Sequence, residues 1–219
     1  MGEDKPNDST IYRLAKGTGF NARVEPISHN VARLRKQLGW IQFLKERSRV
    51  KKLVGRINDH LKAIGADLNG WDTPQGKCIV NLRVEKFGVL EDLRAFVRES
   101  DGGLARKCGH LLNGRERNAY ALPVDFEQPF LLDQDGDRVP VGSAIRLKEE
   151  LAAIEKTLHV SDSLSPDKMV SFLHASETDI SRYESKVLTD PLFWTKFGFV
   201  LLSKLVRSSV ESGLPITFA

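Results

Sequence analysis

At 219 residues, with 41% apolar and 28% charged side chains, the chain can bury a large core without covalent staples. Two cysteines, Cys78 and Cys108, exclude a disulfide scaffold and cannot by themselves build a four-ligand zinc site. The net charge of +4 hides an asymmetry: residues 29–62 hold ten Lys and Arg against Glu46 and Asp59, so this segment is +8 and the remainder −4.

The first 27 residues are polar, rich in Asp, Asn, Ser, Thr and Gly, and read as a flexible N-terminal arm. They show no apolar run of the kind a signal peptide needs, and Pro6 stands where a myristoylation motif wants Ser or Thr. The most apolar stretch, residues 192–206, is short and carries Lys196 and Lys204, so no transmembrane segment is expected and the protein is expected in the cytoplasm.

From Ser28 to Gly65 the spacing is helical and the charge basic. Val31, Leu34, Leu38 and Ile41 form one stripe, and Val50, Leu53, Val54, Ile57, Leu61 and Ile64 a second. At 100° per residue the two stripes lie roughly 150° apart on an unbroken helix, which would have to bury opposite sides of itself. The sequence therefore predicts a basic helical hairpin over residues 28–65, turning near Glu46 to Arg49. No Gly or Pro marks such a turn, and a single long helix is the alternative.

Residues 65–76, with three glycines and a proline, read as a linker into an α/β core domain spanning 77–219. Residues 77–87 alternate as a half-buried strand, with Cys78, Val80, Leu82 and Val84 inward. An amphipathic helix through Val89, Leu93 and Val97 follows, and a short one ends at Asn113-Gly114. Residues 119–124 read as a strand, and 130–133 with 138–141 as a hairpin around Asp135-Gly136, in which Asp133 faces Arg138. Ser143 caps a helix whose inward residues are Leu147, Leu151, Ile154 and Leu158, and a further helix starts at Ser165-Pro166. The best-signalled helix begins at Asp190-Pro191 and stops at Gly213, with Phe193, Phe197, Val200, Leu201 and Leu205 inward. Residues 214–218 can close as a terminal strand, with Pro215 at its start or on an edge. The expected fold class is α+β: a small mixed or antiparallel sheet packed with helices, plus the N-terminal basic hairpin.

Motifs for chemistry are sparse. Asp133-Gln-Asp135-Gly-Asp137 resembles a calcium loop only at its start, since Arg138 and Ala144 stand where the loop needs Gly and a bidentate Glu. The five histidines form no metal-ligand pair, and His174 reads as a packed or C-capping residue. Cys108 and His110 are two apart and do not face each other on a helix. No nucleophile elbow, phosphate loop or dinucleotide fingerprint is present, and Glu149-Glu150 reads as a solvated helix face. No metal or cofactor is expected.

The basic segment is the one constellation that remains. Arg33, Lys36, Lys45, Arg47, Arg49, Lys51, Lys52 and Arg56 form a candidate surface for a partner, with Trp40 and Phe43 among them. The sequence favours a non-enzymatic protein-interaction module or accessory subunit docking through this basic face onto a protein partner. A nucleic-acid-binding subunit contacting phosphates with the same residues is the alternative. An enzyme with a dispersed site near Asp125, Asp133 and Arg115 or Arg117 is a further one.

Overall fold

In the computed structural model, which describes residues 20–28, 39–67, 70–72, 77–84, 88–100, 103–115, 118–134, 136–160 and 190–218, six short strands form one mixed sheet. They are β1 (Phe20–Val24), β2 (Val80–Val84), β3 (Ala119–Leu122), β4 (Phe130–Gln134), β5 (Asp137–Ser143) and β6 (Ile216–Phe218). Their order is β2-β1-β6-β3-β5-β4, and only the β3–β5 pair is parallel. The described helices are α1 (Trp40–Ala63), α2 (Val89–Glu99), α3 (Leu104–Lys107), α4 (Gly109–Asn113), α5 (Ala144–Leu158) and α6 (Phe193–Ser212). The fold is α+β, with a mixed sheet between helices.

Alternation along the strands divides the core in two. Ala22, Val24, Leu82, Ala119, Ala121, Ile216 and Phe218 face α2, α5 and α6. Leu122, Val124 and Val141 face the other way, onto Ile27, Trp71 and the α1 residues Leu53, Ile57 and Leu61. Two-sided burial makes β3 a central strand. The helix α6 brings Phe193, Phe197, Val200, Leu201 and Leu205 to the core as its spacing requires. It touches α2 closely at Gly198, where an added Cβ would lie 2.5 Å from the Val89 carbonyl oxygen. Gly213, at φ +67°, ends the helix in the left-handed conformation, and Pro215 immediately precedes β6. The ladder N–H groups of β6 are thereby intact, and the strand runs inside the sheet between β1 and β6's other neighbour β3.

The β4–β5 hairpin turns at Gly136, φ +90°, in the register that sets Asp133 against Arg138. Ser143 caps α5 by accepting the Arg146 N–H at 3.1 Å. Asp190 acts three residues before α6 begins: its carboxylate accepts the Leu192 N–H at 3.0 Å and pairs with Lys196 at 2.8 Å.

Several expectations are corrected. α1 runs unbroken for 24 residues, with no turn near Glu46 to Arg49. Of the first stripe only Ile41 is among the described residues; it is 71% exposed, and its neighbours Trp40 and Leu44 are 64% and 42% exposed, while Leu53, Ile57 and Leu61 of the second stripe are buried. The other arm of the expected hairpin, with Arg33 and Lys36, lies outside the described residues, as do residues 161–189 with the expected helix at Ser165 and His174. β1 forms within the stretch read as an arm, burying Ala22 and Val24. Cys78, expected inward, is exposed because β2 begins only at Val80, and its thiol donates to the Val80 carbonyl at 3.3 Å.

Candidate interaction surfaces

Helix geometry sorts the predicted basic residues. Lys45, Arg49, Lys52 and Arg56 are spaced by four, three and four, which holds them within about 60° on one side of α1. The structure brings these four to one groove of about 550 Å³, lined also by Glu46, Ser48, Leu53 and, from β4, Gln134. Arg56 reaches across to donate to the Asp133 carbonyl, which ties the helix to the hairpin strand. Lys45, Lys52 and Arg56 are exposed, and Arg49 is half-buried. Arg47 and Lys51 are exposed too, but project roughly 200–240° further round the helix and line no part of this groove. Trp40 and half-buried Phe43 meet with ring centroids 5.9 Å apart near the helix start. Next to the basic groove, Arg56, Asp59, His60, Leu132 and Asp133 line a second depression, where His60 stacks on Phe130 at 3.8 Å.

A different site lies across the sheet. The α5 residues Leu147, Leu151 and Ile154 are core, and Glu150 falls on the same stripe. Its two carboxylate oxygens accept the backbone N–H groups of His110 and Leu111, each at 2.8 Å, at the start of α4. Burial pushes this carboxyl up to about 7, against the pull of the two donors. The His110 ring is fixed from both sides: the Ser143 N–H donates to Nδ1 at 3.0 Å, and Nε2 meets the Glu127 carbonyl at 3.1 Å. Nδ1 is therefore the acceptor and Nε2 carries the proton, in a neutral ring whose pKa burial lowers. Ser143 completes the network by donating to the Val124 carbonyl at 2.7 Å.

The mouth of this cleft mixes both signs of charge. Arg106, Lys107, Arg146, Glu127, Glu149 and Glu150 line about 350 Å³. Arg146 pairs with Asp125 at 2.6 Å and with Glu149 at 3.2 Å. The solvated-face expectation for Glu149-Glu150 thus holds for exposed Glu149 and fails for Glu150. The signal was present in the spacing, since 147, 150, 151 and 154 share one helix face.

The residues suggested for a dispersed enzyme site are not brought together. Asp125 follows β3 at the sheet end where β5 finishes, whereas Asp133 stands opposite Arg138 where β5 begins. Arg115 donates to the Arg138 carbonyl at 3.4 Å at that second end, and Arg117 lies outside the described residues. Burial pushes the Cys108 thiol up to about 12, far from a reactive thiolate. Among the described residues no three His, Cys, Asp or Glu side chains are grouped to hold a metal ion, and no helix is long and apolar enough to cross a membrane.

Neither the curated proteins nor the solved structures contain a match to this chain. One family model does match, over residues 83–218, which takes in β3 to β6 and α2 to α6 and leaves α1 outside. That span is well over half of the chain, and the protein belongs to the family described as "Putative DNA-mimic protein".

Proposed function

We propose that this protein binds a DNA-binding protein at the surface that otherwise holds DNA. The single observation that carries this is membership of the DNA-mimic family over residues 83–218. It is a protein-interaction function, as expected, but the docking face differs from the expected one. A surface that stands in for DNA must present negative charge, as the phosphates do. α1 has the wrong sign and lies outside the matched span.

Within 83–218 the sequence holds 21 acids against 18 Lys and Arg, a modest surplus. Asp125, Glu127 and Glu149 are exposed in this span, and Arg146 holds Asp125 and Glu149 in place through its two ion pairs. These three carboxylates, set by the rigid start of α5 and the turn after β3, are the proposed stand-ins for phosphates. Residues 161–189 add five acids against three bases by sequence.

The test is release of proteins from a duplex-DNA resin loaded with a lysate of the source cells. Wild-type protein at fixed ionic strength is expected to elute DNA-binding proteins, and the D125K/E127K/E149K variant to elute fewer. Elution no better than buffer of equal ionic strength overturns the proposal.

A further inference from the structure

The basic groove of α1 lies outside the family span, and DNA mimicry gives it no task. We infer that this groove is a docking site for the phosphodiester backbone of duplex DNA, so that the protein holds DNA with one face and a DNA-binding protein with another.

Charge complementarity carries the inference. Lys45, Arg49, Lys52 and Arg56 form one straight rank beside the sheet edge strand β4. At 1.5 Å rise per residue the rank is ~17 Å long with steps of roughly 4.5–6 Å. A B-DNA strand presents one phosphate per ~3.4 Å of axis, so the rank spans about five phosphates of one strand. Among the described residues, Glu46 is the one carboxylate that lines the groove, beside four cations. Arg56 is oriented by its bond to the Asp133 carbonyl, a neutral acceptor. Gln134 adds an amide from the opposite wall, a group that bonds phosphate oxygen without sequence preference.

The form of nucleic acid follows from what the groove lacks. Single-strand binders interleave aromatic platforms with their cations. Here Trp40 and Phe43 project about 150° away from the rank, and among the described residues no aromatic side chain lines the groove. A backbone-tracking contact to a duplex is the chemistry that remains.

The experiment is fluorescence anisotropy of a labelled mixed-sequence 20-bp duplex with the 219-residue chain between 50 and 200 mM salt. Four phosphate contacts give a log–log slope of about −3.6, on the order of a 100-fold loss across that range. K45E/K52E is expected to weaken binding more than about tenfold at 100 mM salt and to halve the slope. R47E/K51E makes the same charge change outside the groove and is expected to change binding by less than about threefold, because at 100 mM salt interactions between exposed charges fade beyond about 10 Å. Circular dichroism melts of both variants check that these exposed changes leave the fold intact. Absence of binding at 50 mM salt, equal losses in the two variants, tighter binding of the single strand, or equal displacement by poly-glutamate would each overturn the inference. Protein release from the DNA resin by K45E/K52E is expected to be unimpaired, which separates failure here from failure of the mimic function.

Discussion

The two faces of the sheet are covered in different ways. On one, α2, α5 and α6 are committed to the fold along their whole length, and a buried polar network of His110, Ser143 and Glu150 locks α4 and α5 to β5. On the other, among the described residues, α1 contributes Leu53, Ile57 and Leu61 from its second half and leaves Trp40, Ile41 and Leu44 in solvent at its start. The first face uses its helices to make a core. The second uses half a helix as an anchor and leaves cations, rather than apolar side chains, along the side next to β4. Stability and recognition are thus divided between the layers, and substitutions on the two faces should differ in kind.

The largest effect is expected at the centre of the first face. Phe197, fully buried in α6 and ringed by Phe193 and Trp194, should cost about 3–5 kcal/mol when cut to Ala, read as a shift in the urea midpoint. Next is Glu150→Ala, which leaves the N–H groups of His110 and Leu111 buried without acceptors at about 1–3 kcal/mol each. A cost under 1 kcal/mol there would mean that water replaces the carboxylate and that the network is no lock.

The pH dependence of stability sharpens the same point. Glu150 titrates near 7 when folded against an ordinary 4.5, so between those values the folded state holds a proton the unfolded state has lost. Its contribution therefore falls as pH rises through that window. His110 is shifted the other way, below 6.5, so the unfolded state takes up its proton first on acidification and the contribution of His110 rises with pH up to about 6.5. Wild-type protein should show the two slopes partly cancelling between pH 5 and 6.5. Glu150→Gln should expose a stability that rises with pH, measurable from urea midpoints at three pH values. The smallest effect is expected on the second face: Ile41→Ser should change stability by no more than about 0.5 kcal/mol. A loss above 1 kcal/mol would break the comparison by showing that the start of α1 is covered.

What the sequence made legible follows from local rules. The α6 spacing with Gly213 and Pro215, the hairpin turn at Gly136 with its register, and the Ser143 cap each need only neighbours along the chain. What it hid depends on partners far away. β1 is five residues whose two buried side chains mean little until β2 and β6 flank them. Glu150 looked like one of a solvated pair, because the N–H groups that donate to it lie about forty residues upstream. The basic residues were visible as a run, yet which of them share a groove was decided by an unbroken helix and by Gln134 of β4. Leu53, Ile57 and Leu61 of the second apolar stripe are buried, whereas Ile41, the one member of the first stripe among the described residues, is exposed.

The most direct test of the central claim is competition for one DNA-binding protein released from the duplex resin. With that protein and a labelled duplex at fixed concentrations, the chain is titrated in, using K45E/K52E so that its own hold on DNA does not interfere. If the matched unit stands in for DNA, the apparent Kd for duplex rises in proportion to the concentration of the chain and no ternary complex forms. A ternary complex, or a duplex affinity that stays constant, contradicts the account.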